Sequence, residues 1–460
     1  KYNYLKESMS NYRCPFLFFI SIFYASVLFA QWEPDRRLTI DDSISSTSLN
    51  NAWCVAVGPD GYVHVVWYDN RDGNFEIYYK RSTDNGVSWE KDTRLTFAPD
   101  SSAYPAIAVS DSDVHVVWVD RRYGGPMIFY KRSTDAGLHW EPDTLLGIGS
   151  TSLYSTLPSL TASGMFIHLV WCGERAIRYK HSTDRGVSWS PDITLGGPEY
   201  CSSVAVWKNQ VHVVRPDYDS TGSRGIYYRK STDAGASWFP SVRLSNLGEV
   251  RTPCVAIWDQ LVSVVWREYR GSWKVIYKRS TDNGITWLPE TTLANGIYPS
   301  IAASGSNIHV IWQSVHIYYK RSSDSGNTWS LDTMLTSTSG SFAYPSVTTY
   351  GRGVHVVWRC SQPGNFEIYY KRNPTGNVVI EEKIGQLIVH YSPFTICPNP
   401  FTSSAVILGH ETEYFILYDI AGRLIRIYRG DRIGLGLSAG VYFLIPEVKK
   451  TKPMRIIKVR

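Results

Sequence analysis

The chain has 460 residues, 43% of them hydrophobic and 14% aromatic, so its composition is globular and its length exceeds what one hydrophobic core supports. The formal net charge is +6, and from residue 381 onward eleven Lys and Arg stand against seven Asp and Glu. The rest is nearly balanced, which argues against the broad basic face of a nucleic-acid-binding protein. Plentiful Trp (17) and Tyr (31) favour a β-rich protein.

The N-terminal segment has the pattern of a secretory signal peptide. Lys6 and Arg13 precede the apolar run "PFLFFISIFYASVLFA", which ends at Ala30 and is too short to span a bilayer comfortably. We therefore expect residues 1–30 to be removed on export. The exact cleavage point stays open, because Leu28 is not a small residue. The rest of the chain has no comparable apolar run, so no transmembrane helix is expected.

A repeat of about fifty residues governs the next part of the chain. Its marker occurs as "VHVVW" (63–67, 114–118 and 354–358), "IHLVW" (167–171), "VHVVR" (211–215), "VSVVW" (262–266) and "IHVIW" (308–312). A short apolar segment precedes each marker, and an aromatic segment such as "EIYYKRS" follows it. Four short strands at this period are typical of a β-propeller blade, so the sequence predicts an all-β, seven-bladed propeller.

The seventh repeat lacks its outer strand. After "KRNPTGN" (371–377) nothing matches "WEKDTRLTF" (89–97), the outer strand of the first repeat. The segment "WEPDRRLTI" (32–40) does match it, at the start of the predicted mature chain. We therefore expect this N-terminal strand to complete the last blade and close the ring, which removes exposed strand edges.

Six repeats carry the pattern S-x-D-x-G-x-x-W, as in "STDNGVSW" (82–89). It resembles the Asp box of the sialidase-type (BNR-repeat) propellers, and the resemblance covers roughly residues 32–377. In that family the Asp box is a turn between the third and outer strands, on the face opposite the active site. Six copies in six blades cannot converge on one substrate, and Asp accepts hydrogen bonds from its own turn. We predict a structural role for Asp84, Asp135, Asp184, Asp233, Asp282 and Asp324.

Six histidines on the second strand receive the same interpretation: His64, His115, His168, His212, His309 and His355. That strand is set back from the axis, so equivalent side chains lie too far apart for bonds of about 2 Å to one metal ion. We expect buried, hydrogen-bonded histidines, no metal site and no cofactor. The cysteines show no metal-ligand spacing, and disulfides and free thiols are both open.

Departures from the repeat mark the candidate binding residues, because shared residues build the blades. Blade four has Arg215 in place of Trp and an acidic loop with Asp217, and blade five has Arg267 in an arginine-rich loop. Glu268 and Arg122 belong to a recurring W-x-[D/E]-x-R pattern. For that pattern a brace of the hairpin and a ligand role are both open.

Aromatic residues are aligned at the start of four inner strands: Trp53, Tyr104, Tyr298 and Tyr344. Rings beside Arg and Asp around a funnel suit the binding of a sugar or a peptide, since they combine stacking with directional hydrogen bonds. The alternative is that these rings plug the central channel.

The sialidase resemblance implies three arginines that grip a carboxylate, a Tyr nucleophile with a Glu partner, and an Asp acid. Candidate arginines are Arg71, Arg122, Arg215, Arg267 and Arg359. However, no "RIP" motif stands early in the chain, and sialidases of this type have six blades rather than seven. Many pairs of loop carboxylates would meet the requirement of glycoside hydrolysis, so no catalytic residue is assigned.

The C-terminal part contains "ICPNPF" (396–401), "LYDIAGRLIR" (417–426), "LSAGVYFLI" (437–445) and "RIIKVR" (455–460). These segments resemble the C-terminal sorting domain of the type IX secretion pathway of Gram-negative bacteria. The resemblance implies a small Ig-like β-sandwich, recognition by the outer-membrane export machinery, and a secreted or cell-surface location.

The predicted organisation is a signal peptide (1–30), a propeller (31–377), a linker (378–396) and a sorting domain (397–460). The first functional hypothesis is an exported or cell-surface propeller that binds a glycan or a surface protein. A glycoside hydrolase of sialidase-like fold and a structural surface protein without a ligand are the alternatives.

Overall fold

A computed structural model describes residues 32–48, 54–151, 156–197, 201–246, 248–337, 340–362 and 364–375, and shorter segments between 395 and 458. The chain divides into two compact units, Lys1–Ile380 and Glu381–Arg460. The predicted signal peptide and most of the predicted linker lie outside the described residues. Across the described ranges, no helix has the length and hydrophobicity needed to cross a membrane.

Seven antiparallel sheets make up the described part of the first unit, and we call each sheet a blade. Two short strands come first, β1 (Arg36–Arg37) and β2 (Ser45–Ser46). Blade one contains β3 (Val55–Val57), β4 (Val63–Asp69), β5 (Glu76–Ser82) and β6 (Thr93–Arg94), with β2 added alongside β4. Blade two contains β7 (Ser102–Ser110), β8 (Asp113–Asp120), β9 (Met127–Ser133) and β10 (Thr144–Ile148). Blade three contains β11 (Ser159–Ser163), β12 (Phe166–Gly173), β13 (Ala176–Ser182) and β14 (Ile193–Gly196).

The remaining blades repeat this order. Blade four contains β15 (Ser203–Trp207), β16 (Gln210–Tyr218), β17 (Arg224–Ser231) and β18 (Val242–Arg243). Blade five contains β19 (Val250–Trp258), β20 (Leu261–Tyr269), β21 (Trp273–Ser280) and β22 (Thr291–Asn295). Blade six contains β23 (Ile297–Ser304), β24 (Asn307–Gln313), β25 (Ile317–Ser322) and β26 (Thr333–Met334). Blade seven contains β27 (Phe342–Tyr350), β28 (Gly353–Cys360), β29 (Glu367–Asn373) and β1.

The blades form a closed ring. The inner strand of each blade contacts the inner strand of the next, and β27 of the last blade contacts β3 of the first. Closure is completed by β1, which pairs antiparallel with β29. Arg372 on β29 binds Glu33 at 2.6 Å, just as Arg81 binds Glu90 at 2.7 Å within blade one. The predicted all-β propeller and its closing N-terminal strand are confirmed.

The second strand of every blade is almost wholly buried, because blades pack against it on both faces. This explains why the marker "VHVVW" is apolar apart from its buried histidine and does not alternate between apolar and polar residues. Six tryptophans end these markers and are fully buried in the described core: Trp67, Trp118, Trp171, Trp266, Trp312 and Trp358.

The Asp-box turn is held by a compact set of hydrogen bonds. In blade three, the Asp184 carboxylate accepts the Ser188 backbone N–H at 2.9 Å and the Ser182 hydroxyl at 2.7 Å. The Ser182 hydroxyl in turn accepts the Gly186 N–H at 2.8 Å. Hydrogen bonds from Ser188 lower the pKa of Asp184 to about 2. All six aspartates accept the backbone N–H four residues onward.

Each Asp box is also a contact between blades. The Trp140 ring packs edge-on against Tyr79 of the preceding blade, with centroids 4.9 Å apart. Gly137 has a φ of +85°, and a Cβ there would lie 1.9 Å from the Tyr79 hydroxyl. Equivalent ring pairs join every neighbouring pair of blades, namely Trp32–Tyr319, Trp89–Tyr370, Trp189–Tyr130, Trp238–Tyr179, Trp287–Tyr228 and Trp329–Tyr277. The tryptophans therefore anchor each turn to the preceding blade.

The histidine column holds these same tyrosines from inside their own blades. His115 Nδ1 lies 2.8 Å from the Tyr130 hydroxyl, and the other five histidines make equivalent contacts. In blade five, Ser263 takes the place of histidine and lies 3.2 Å from the Tyr277 hydroxyl. Within the described ranges, no group of three His, Cys, Asp or Glu side chains could hold a metal ion. Cys54 and Cys360 are buried free thiols.

The second unit is also built from strands. One sheet has the order β30 (Thr395–Cys397), β31 (Ala405–Leu408) and β34 (Arg432–Ile433). The other has the order β33 (Leu424–Arg429), β32 (Tyr414–Asp419), β35 (Gly440–Pro446) and β36 (Met454–Lys458). The side chains of Phe415, Leu417 and Leu444 are buried in this unit.

The six buried histidines predict that the folded protein begins to lose stability at mildly acidic pH. Burial lowers the pKa of each of the six histidines from 6.5 to about 3. Below pH 6.5 the unfolded chain therefore binds protons that the folded protein does not bind until about pH 3. Each histidine then lowers the free energy of unfolding by up to about 1.4 kcal/mol per pH unit. Urea unfolding at pH 7.5, 6.5 and 5.5 measures the slope.

The matched variant is His309→Ser, which copies the serine that blade five already uses. It should reduce the proton uptake on unfolding by about one, whatever its effect on stability at pH 7.5. An unchanged slope would mean that His309 is not held neutral in the folded protein.

Candidate ligand-binding site

The two faces of the ring differ in what they present. The Asp-box turns lie beside the hairpins that join first and second strands, as shown by the 2.8 Å hydrogen bond from Asn283 N–H to the Gln260 carbonyl. The other face carries the starts of the inner strands and the hairpins between second and third strands. We call this second face the mouth. The aromatic residues singled out in the sequence lie there.

The backbone at the mouth is irregular in the same way in four blades. Tyr104, Thr252, Tyr298 and Tyr344 each precede a proline and have φ between 49° and 55°. The pairing register with the second strand shifts at each of these positions. Positive φ is uncommon for residues other than glycine, and a bulge re-aims the side chain it carries. The side chains of these four residues therefore do not follow the regular alternation of the strand.

Four aromatic rings and two guanidinium groups lie in a row across the mouth of blades five to seven. We call this set the ladder, and its order is Trp273, Arg267, Tyr298, Tyr344, Arg359 and Phe366. The Arg267 guanidinium lies 4.7 Å from the ring centroids of both Trp273 and Tyr298. The Tyr298 and Tyr344 rings meet edge-on at 4.9 Å. The Arg359 guanidinium lies 4.3 Å from both Tyr344 and Phe366.

Both ladder arginines are cations without a carboxylate partner among the described residues. The Nε of each lacks a hydrogen-bond acceptor there, and Arg359 Nη1 donates to the Ser46 hydroxyl at 3.0 Å. Burial lowers the pKa of the Arg267 guanidinium below its ordinary value, yet arginine stays charged at neutral pH. Aromatic faces compensate only part of the lost hydration. The ladder is therefore suited to an anionic ligand.

The Tyr344 hydroxyl of the ladder is neutral. Burial raises the pKa of Tyr344 to about 12, so its hydroxyl stays protonated at neutral pH. No carboxylate within the described ranges accepts a hydrogen bond from Tyr298 or Tyr344. A nucleophilic tyrosine needs the opposite shift and an adjacent base.

One side of the mouth is filled instead of open. The Tyr104 side chain is only 4% exposed, and its ring meets that of Tyr68 at 5.2 Å. Tyr298 and Tyr344 are half-buried and retain access to solvent. Burial of Tyr104 fits the interpretation that the rings fill the channel, whereas the binding interpretation stays a prediction for Tyr298 and Tyr344. Trp53 lies outside the described residues.

Arg215 and Asp217 lie inside blade four, away from the ladder. Arg215 is 3% exposed, and its Nη2 binds Asp217 at 3.0 Å. In blade two the equivalent contact is the hydrogen bond from Trp118 Nε1 to Asp120 at 3.0 Å. The Arg215–Asp217 pair therefore takes over a contact that the other blades make with tryptophan.

Arg122 and Glu268 also bond within their own blades. Arg122 binds Asp120 at 2.6 Å and Asp143 at 2.9 Å. Glu268 accepts the Trp266 indole N–H at 3.0 Å and binds Arg270 at 2.7 Å. These contacts brace the hairpins, and neither residue is part of the ladder.

Sequence reasoning identified Arg267, Tyr298 and Tyr344 together but missed Phe366, and it named Arg359 only as one of five candidate arginines. The recurring "GNF" before the third strand was the available signal, since Phe75 occupies the same position in blade one.

Comparisons with known proteins show the fold and no more. No protein-family model and no curated protein matches the chain. A Dyadobacter fermentans protein of unknown function is similar in structure, with 14% identity and a TM-score of 0.50 over 74% of this chain and 98% of that one. An ulvan lyase of polysaccharide lyase family PL25 has 10% identity and a TM-score of 0.51 over 73% and 95%. The Hadza microbial sialidase Hz136 has 14% identity and a TM-score of 0.45 over 73% and 66%.

Arg267 and Arg215 should respond differently to substitution, because only Arg215 has a carboxylate partner. Arg267→Met should leave the free energy of unfolding within about 1 kcal/mol, because it removes a cation that lacks an ionic partner. Arg215→Met should lower it by about 3 kcal/mol, because Asp217 then loses its buried partner. Urea unfolding of the ligand-free variants at pH 7.5 measures both. Equal losses would show that the ladder arginine is part of the scaffold.

Proposed function

We propose that the propeller binds acidic saccharides at the ladder. The observation that carries this proposal is the pair of half-buried arginines, Arg267 and Arg359, which have no carboxylate partner among the described residues. Partly desolvated cations are costly unless paired. A ligand carboxylate or sulfate supplies the missing charge, and each arginine can offer it a fork of N–H donors.

The rings explain why the anion should belong to a sugar. Trp273, Tyr298, Tyr344 and Phe366 are all half-buried, so each keeps part of its surface accessible. Sugars combine apolar C–H faces with hydroxyl groups, and they bind where flat rings stand beside polar groups. The Tyr298 and Tyr344 hydroxyls add hydrogen-bonding groups between the two cations. An acidic surface peptide is the competing ligand, and the experiment below distinguishes the two.

Binding without cleavage fits the described mouth better than hydrolysis. Arg267 and Arg359 are the two arginines of the predicted set that reach the ladder, whereas Arg215 is occupied by Asp217 inside blade four. The ulvan lyase and the sialidase share the propeller architecture at low identity, and the proposal takes only the fold from them.

The test is a glycan array that contains matched acidic and neutral saccharides, probed with the full chain. The parent protein should retain carboxylated or sulfated glycans, and retention should fall as ionic strength rises. Arg267→Met and Arg359→Met should each reduce it by about tenfold or more. Arg178→Met removes an arginine of blade three that is paired with Glu174, and it should bind like the parent.

Mass spectrometry of the retained glycans separates the remaining hypotheses. Unchanged masses support a binding module. Loss of a terminal sugar would make the protein a glycoside hydrolase and overturn the proposal. Failure to retain any acidic glycan would also overturn it, in favour of a protein ligand or a structural surface role.

The chain is further proposed to be exported to the cell surface or the medium, from the apolar N-terminal run and the sorting-domain resemblance of residues 397–460. The outer-membrane type IX machinery would then be its export partner. Expression in a Gram-negative host that has this machinery should place the protein in the medium or on the surface. Deletion of residues 397–460 should leave it in the periplasm, as measured by fractionation and immunoblotting. Equal export of both forms would refute the role of this segment.

A further inference from the structure

A second departure from the repeat lies on the Asp-box face. At the end of the inner strand on that face, blades two, three and six carry Ser110, Ser163 and Ser304. Ser110 donates to the Gly164 carbonyl of the next blade at 3.1 Å, and Ser304 donates to the Gly351 carbonyl at 3.4 Å. Serine at this position therefore links neighbouring hairpins, and the ring needs nothing larger there.

Blades four and five carry Trp207 and Trp258 at this position instead. Their ring centroids lie 4.6 Å apart with an interplanar angle of 45°. Trp207 packs partly against the core of blades four and five, while Trp258 is 37% exposed. Serine suffices at this position in three blades, and blade seven carries the single ring of Tyr350. Blades four and five differ in carrying two rings that contact each other, and this pair calls for a function outside the scaffold.

Trp207 lines a pocket of about 330 Å³ between the hairpins of blades four and five and the Asp-box turn of blade five. This volume is at the lower end of the range for small-molecule sites, roughly 300–1,000 Å³. Lys208, Asp259 and Gln260 line the same pocket and are exposed. Lys208 and Asp259 form no ion pair with any described residue. Asp282 also lines the pocket, so one cation stands against two carboxylates, and this balance disfavours an anionic ligand.

Amide groups give the pocket directional hydrogen bonding. The Asn283 backbone N–H donates to the Gln260 carbonyl at 2.8 Å, and the Asn283 side-chain NH₂ donates to Gln210. These contacts fix Asn283, while its side-chain oxygen has no donor among the described residues. Apolar lining is limited to the indole of Trp207 and Ile285. The pocket is thus too polar to bind a cluster of apolar side chains. It combines an aromatic ring with hydrogen-bonding amides, and a sugar requires both.

We propose that this pocket is a second saccharide site, which takes a neutral pyranose stacked on Trp207. The Trp258 ring does not line the pocket, but it contacts Trp207 and extends the aromatic surface beside it. Hydroxyl groups of the sugar would meet the amides of Gln260 and Asn283. The site differs from the ladder in face and in charge, and it does not depend on the proposed function of the ladder.

The test uses isothermal titration of the full chain with cellohexaose, xylohexaose and mannohexaose. At least one of these neutral oligosaccharides should bind. Trp207→Ser and Trp258→Ser should each weaken that binding by about tenfold, since part of the aromatic surface is lost. Both variants copy the serine that three other blades use at this position, so the fold should tolerate them. Trp258→Phe keeps a ring and should retain part of the affinity.

Two controls separate the pocket from the rest of the protein. Tyr350→Ser removes an exposed aromatic residue at the same repeat position in blade seven, and it should bind like the parent. The Arg267→Met variant should bind the neutral oligosaccharide with the affinity of the parent, although its binding of acidic glycans is reduced. The proposal is overturned if none of the three oligosaccharides binds. It is equally overturned if the tryptophan variants bind like the parent, or no more weakly than Tyr350→Ser.

Discussion

One tyrosine in the third strand of each blade determines how the blades fit together. Inside its own blade the hydroxyl is held by a histidine in six blades, as in the 2.8 Å contact between His115 and Tyr130, and by Ser263 in blade five. Outside it, the same hydroxyl lies against the Asp-box glycine of the next blade, where Gly186 leaves no room for a Cβ. The ring of Trp189 then covers this tyrosine. Histidine, tyrosine, glycine and tryptophan recur together because they form one continuous contact from blade to blade.

Because this contact repeats from blade to blade, the features that depend on it could be predicted from the sequence. The repeat, the propeller fold and the closing strand follow from residues that every blade must share, so six or seven copies reinforce one another. The Asp box was predictable in its own turn, but its contact with the neighbouring blade was not, because Trp140 and Tyr79 lie 61 positions apart in the sequence. A repeat identifies the residues that every blade requires, but it gives little information on which residues of neighbouring blades contact each other.

The ladder was harder to predict for a related reason. Arg215 and Arg267 both depart from the repeat in neighbouring blades, and in the sequence they look alike. In the structure the first is 3% exposed and bound to Asp217, whereas the second is stacked between two rings. Arg215 occupies the Trp position of its marker, whereas Arg267 follows that position by one residue, so the two side chains point to opposite faces of their strands. Phe366 meets Arg359 within blade seven, whereas the contact between Tyr298 and Tyr344 that joins this half of the ladder to Arg267 crosses from blade six to blade seven.

The closing strand also sets an order of events for folding. Arg37 and Glu367 pair across a separation of 330 residues, so the first strand of the ring has no partner until the last blade exists. Closing so long a loop directly costs entropy, but each blade that forms shortens the free chain that remains to be closed. Until then two unpaired edges remain open to other chains. A product that ends anywhere before blade seven keeps both edges, so full-length synthesis is the step that protects this protein from aggregation.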